Sequence, residues 1–143
     1  MKQSILAALV AIFCVTSSAA QETHVVDRKD VDSKVIHEAV VSGYLTELNG
    51  KYKLRVTETT YKPGGYTGEH NHVGPGIRVM TAGELTLVEA GATRIYRAGD
   101  SFYESGDVTN ASYNKGNVPF VVLQCEILPV DWKGGSGVPP KSK

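Results

Sequence analysis

Polar and apolar positions alternate over 52–61, with Leu54 and Val56 on one side and Lys53, Arg55 and Thr57 on the other. A period of two marks a strand with one buried face. An earlier apolar run, 35–41, reads as a strand of its own. Further on, short strand-like runs are punctuated by glycine. Runs 77–81 and 84–89 flank Gly83, 93–97 lies between Gly91 and Gly99, and 101–104 precedes Gly106. The longest run, 119–128, is rich in Val, Phe, Leu and Ile. Strands at this spacing with turn residues between them predict an all-β sandwich or barrel. No stretch beyond the first twenty residues has the period of an amphipathic helix. In the run after Gly76, Arg78 and Met80 share one parity, Ile77 and Val79 the other, and the pattern leaves both orientations open.

The N-terminus has a different pattern. Lys2 precedes an almost unbroken apolar run over 5–15, and Ser18-Ala19-Ala20 supplies the small residues of a cleavage site. This predicts a secretory signal peptide over 1–20, and hence a periplasmic or secreted protein. The apolar run is shorter than the roughly 20 residues needed to span a bilayer. The remaining 21–143 suffices for one domain: a polar lead-in over 21–43, a barrel over 44–130 and a flexible tail over 131–143 rich in Gly, Pro, Ser and Lys. The chain has 15 basic and 15 acidic residues. Loss of Lys2 leaves 14 against 15, a net charge near −1, with no basic run. Neither nucleic acid nor an anionic membrane surface is indicated as a partner. Of the two cysteines, Cys14 leaves with the leader. Cys125 then has no intramolecular partner, and its apolar setting reads as a buried small hydrophobe.

Chemistry concentrates in His70-Asn71-His72, followed by Val73-Gly74-Pro75-Gly76. Histidines at i and i+2 on an extended strand point to the same face, where their ring nitrogens can hold a divalent metal together. Gly64, five residues, His70-x-His72 and a later Gly83 resemble the first cupin motif. Gly99, five residues, Ser105-x-Asp107, Asn110 and Asn114 resemble the second. The resemblance, of the HxHxGP type, implies a double-stranded β-helix, a jelly-roll barrel with a central pocket. It also implies a homodimer. The usual motif-one glutamate falls at Gly76 and the motif-two histidine at Asn110, so the customary four-ligand set is incomplete.

In Ser101-Phe102-Tyr103-Glu104, Phe102 and Glu104 share a face, and in cupins that face looks into the barrel. A buried carboxylate is costly without a cation or hydrogen-bond partner. Glu104 is therefore the candidate third ligand beside His70 and His72. Two histidines and one carboxylate suit Fe, Mn, Ni or Zn. No organic cofactor is indicated. Asn110 is a candidate substrate contact or weak ligand. The competing reading is a metal-free pocket in which the histidines are hydrogen-bonding groups and Glu104 pairs with Arg78. Three function classes follow. One is a divalent-metal-dependent enzyme (oxygenase, lyase or isomerase) acting on a small organic molecule. The second is a non-catalytic binder of a small molecule or metal, and the third an interaction domain with a vestigial pocket.

Overall fold

The computed structural model describes residues 25–141. The predicted leader, Cys14 and His24 lie outside them. Nine strands follow in chain order: β1 Arg28–Val40, β2 Tyr52–His72, β3 Gly76–Ala82, β4 Glu84–Glu89, β5 Ala92–Arg97, β6 Ser101–Glu104, β7 Asn110–Tyr113, β8 Phe120–Pro129 and β9 Gly137–Val138. Hydrogen bonding orders them β5-β4-β7-β2-β8-β3-β6, with β1 and β9 also on β2. All the pairings are antiparallel. This is the all-β jelly-roll that the sequence pattern and motifs lead one to expect.

The 21-residue β2 organises the barrel. Its first half pairs with β1 on one edge and β8 on the other. Its second half pairs with β7 and β9. The chain turns at Gly64, whose φ of 75° is open to glycine without strain. One strand thereby serves both sides of the barrel and carries His70 and His72 into its mouth. Gly74 sits just beyond them. A Cβ there would overlap the Ile127 carbonyl, so the turn after the histidines can lie directly on β8.

The closed end holds the apolar core of Tyr61, Met80, Leu85, Leu87, Phe120 and Val122. Tyr61 stacks on Phe120 at 4.3 Å between ring centroids. Tyr96 stacks on Phe102 at 4.1 Å against the same cluster.

The structure settles which strand faces point inward. In β3 it is Arg78 and Met80, both buried, while Ile77 is exposed. In β2 it is Lys53, Arg55 and Thr57, all buried, while Leu54 is 53% exposed. The more apolar side of this half of β2 therefore faces outward. The strand's charged residues can be buried because partners reach them from other elements. Cys125 lies on the outward parity of β8, opposite Val56 and Ile77 in register. It is half-buried, not part of the core.

Two segments are more ordered than their composition suggests. The lead-in carries β1, registered against β2 from Arg28 to Val40 with irregularities after Lys29 and Val35. The glycine-rich tail returns to the barrel, where Asn71 and His72 pair with Val138 and Gly137. Its backbone carbonyls are taken up by buried cations, which gives a flexible composition a fixed path. A short strand without a period of its own, β7, completes the sheet between β2 and β4.

Candidate functional site

The barrel mouth gathers side chains from five elements. β2 supplies His70, His72 and Arg55; β3 supplies Arg78, β6 Glu104 and β8 Glu126, and the returning tail supplies Ser136. All are buried. Gly76 pairs with Glu104 on one side and Glu126 on the other. A Cβ at Gly76 would collide with Arg78 Nη1. The space that a motif-one glutamate would fill is thus taken by the Arg78 guanidinium. Arg78 Nε donates to Glu104 Oε2 at 2.5 Å, and Nη2 donates to Glu126 Oε1 at 3.1 Å. Two carboxylates on neighbouring strands thus offset one buried guanidinium, and Arg55 Nη2 lies 3.8 Å from Glu126 Oε2. Buried ions persist when paired in this way.

Hydrogen-bond partners fix the histidine tautomers. His70 Nδ1 lies 2.8 Å from the Gly68 carbonyl, which can only accept, so Nδ1 carries a proton. Ser136 Oγ donates to Glu126 Oε1. With that hydroxyl proton committed, His72 Nδ1 donates to the Ser136 oxygen at 3.2 Å and to Glu126 Oε1 at 3.3 Å. Each ring in its neutral form therefore presents a bare Nε2. These two nitrogens stand 3.1 Å apart, and His72 Nε2 is 3.3 Å from Glu104 Oε2. Two lone pairs at that distance repel unless a cation lies between them. That cation is either a proton on one ring or a metal.

A metal with bonds of about 2.1 Å sets adjacent ligand atoms about 3.0–3.4 Å apart. The His70–His72 and His72–Glu104 separations match that spacing, and engaged Nδ1 atoms are the usual support for ligating histidines. His70 and His72 therefore fit a metal. Glu104 fits as third ligand in competition with Arg78, which holds the same oxygen. Among the described residues no three His, Cys, Asp or Glu side chains already surround a single point.

Burial, then the neighbouring His72, lowers the His70 pKa to about 4. Burial alone would raise that of Glu126. The His72 hydrogen bond, the Arg78 charge and the Ser136 hydroxyl outweigh it and hold the carboxyl at about 2.

Asn110 lies opposite His70 in register and is buried. Its Oδ1 has no protein partner, but it does not line the cavity onto which the histidines open. That cavity, about 410 Å³, lies between β1, β2 and the tail. Trp132 contributes to its wall and is tied into the tail by its indole N–H on the Gly135 carbonyl.

Glu126, Ser136 and Arg55 were not legible as site residues. Glu126 left one trace: Phe120, Val122, Gln124, Glu126 and Leu128 share a parity, so a glutamine and a glutamate fall on an apolar face. Ser136 left none, because its role depends on the return of the tail.

The Cupin_2 family model, a cupin domain, matches residues 57–125, spanning the histidine pair and most of β8. The chain carries a single small cupin domain. A cupin domain from Bordetella pertussis Tohama I superposes with a TM-score of 0.52 at 25% identity, over 71% of this chain and 96% of that one. A cupin superfamily protein from Desulfitobacterium hafniense DCB-2 gives 0.53 at 14% identity, over 71% and 81%. A predicted oxalate decarboxylase from Thermotoga maritima gives 0.50 at 21% identity, over 72% and 91%. No curated protein matches this cupin.

Proposed function

We propose that this cupin binds a small organic molecule at a single divalent metal held by His70 and His72, with Glu104 as third ligand. The observation that carries this reading is the pair of Nε2 atoms 3.1 Å apart, each on a ring whose Nδ1 is already committed. When bound, such a metal supplies Lewis-acid polarisation of a ligand oxygen and leaves positions open for it. The protein's part is to fix the rings through Gly68, Ser136 and Glu126 and to exclude bulk water from the buried cluster. Secretion, proposed from the leader pattern, would place this site outside the cytoplasm.

The test is the metal content of protein purified without chelator or histidine tag. About one first-row metal per chain is expected, with affinity reduced tenfold or more in His70→Ala and in His72→Ala. Glu104→Gln should weaken retention less, because Arg78 already shares that carboxylate. Absence of metal, with no uptake from Fe(II), Mn(II), Ni(II) or Zn(II), would overturn the metal centre. The Arg78–Glu104 ion pair favours the reading that would then stand: a metal-free pocket whose cation between the rings is a proton.

A further inference from the structure

The ligand cavity has a second chemical feature besides the histidines. Its wall carries Arg28, Lys53, Arg55 and Lys133, with Glu38 as the lone acid. Lys53 is 3% exposed, and Arg55 4%. Both hold substitutes for a ligand. Lys53 Nζ donates to the Trp132 carbonyl at 2.7 Å as well as to Glu38 at 3.0 Å. Arg55 Nη1 donates to the Gly134 carbonyl at 2.7 Å. Arg55 Nε has no partner, nor has the Oγ1 of Thr57 on the same face of β2. Thr57 is 8% exposed and also lines the cavity. A buried donor without a partner costs about 1–3 kcal/mol, and two beside each other in a cavity wall form a site that an acceptor would complete. Arginine's planar fork suits a carboxylate in particular.

We propose that Arg55, Thr57 and Lys53 form an anion subsite, so that the ligand of this cupin is a small carboxylic acid. Its carboxylate binds at the Arg55 end, and the remainder extends toward His70 and His72. The ligand oxygens replace the Gly134 and Trp132 carbonyls, and the glycine-rich stretch 133–137 shifts to admit them. This deepens the functional reading above by naming the ligand class, but rests on the cavity wall and not on the metal.

Calorimetric titration with succinate and benzoate, against succinamide and benzamide, tests it on chelator-treated and on metal-loaded protein. At least one carboxylate should bind in both states, with its uncharged amide roughly tenfold weaker or silent. Arg55→Met should abolish the preference. Should that variant fail to fold, two milder ones keep the test open. Thr57→Val removes an unpartnered hydroxyl and should not lower stability, while weakening the carboxylate severalfold. Lys133→Gln, on an exposed position, should weaken it less and flatten its salt dependence. Equal binding of acids and amides, unchanged affinity in Thr57→Val and Lys133→Gln together, or no saturation by either acid up to about 10 mM would each overturn the subsite. Carboxylate binding that survives in protein unable to take up metal would separate this result from failure of the metal centre.

Discussion

The two ends of the barrel are built from the same strands and solve opposite problems. Along β8 the inward positions run Phe120, Val122, Gln124, Glu126. Along β3 they run Met80, Arg78, and along β2 Tyr61, Thr59, Thr57, Arg55. Within a few residues each strand passes from packed hydrocarbon to buried charge. At the closed end the stacked rings and aliphatic groups fill space and carry no unpartnered polar side-chain atom. At the mouth, Arg55 Nε, Thr57 Oγ1, Arg78 Nη1 and Glu126 Oε2 are all buried without hydrogen-bond partners. Orphaned groups are tolerated where stability is secured elsewhere, and they collect where a ligand can satisfy them. The comparison separates the part of this cupin that holds the fold from the part that is poised to act.

Substitutions at the two ends should therefore differ in kind. Phe120→Ala removes the fully buried partner of the Tyr61 stack and should cost about 4 kcal/mol of stability, measured by denaturant unfolding. Metal stoichiometry of the remaining folded fraction should be unchanged; a specific loss of metal would blur the boundary between the ends. Glu126→Ala leaves Arg78 facing Glu104 alone and removes the His72 acceptor. It should cost about 3 kcal/mol and also weaken metal binding, a coupling that Phe120→Ala lacks.

Acid should act on the mouth before the core. In chelator-treated protein the Glu126 carboxyl is held at about 2 against its ordinary 4.5. Its contribution is present above pH 4.5 and is lost as pH falls toward 2. His70 is lowered from 6.5 to about 4. The unfolded chain thus takes up its proton first, and stability declines from pH 6.5 to 4. Both groups bind more protons unfolded than folded, so both limbs have the same sign. Unfolding free energy measured from pH 7 to 2 should fall throughout, and Glu126→Gln should flatten the part below 4.5. The smallest effect is expected from Ser136→Ala, about 1 kcal/mol, with a larger consequence for metal affinity because Ser136 fixes the His72 ring. Unchanged affinity there would show that the tail covers the site without tuning it.

Much of the architecture lies in local pattern. Glycine-punctuated alternation gave the strands, and the i, i+2 spacing put His70 and His72 on one face. Parity put Glu104 on one face with Phe102, and the cupin resemblance turned that face inward. These signals are local because side-chain direction along a strand repeats every two residues. Alternation, however, says only that two faces differ. It does not say which one is enclosed. Leu54 and Val56 suggest an inward face for β2, yet the barrel turns Arg55 inward, where Glu126 and the Gly134 carbonyl meet it from β8 and the tail.

The sequence by itself determined an all-β chain with two histidines on one face of a strand. Only the tertiary structure decided that Arg78 fills the place left by Gly76, that Glu126 joins the site and that the tail closes over it. A buried charge is stable only beside its partner, and here each partner comes from a different strand, brought within reach by sheet register and barrel closure.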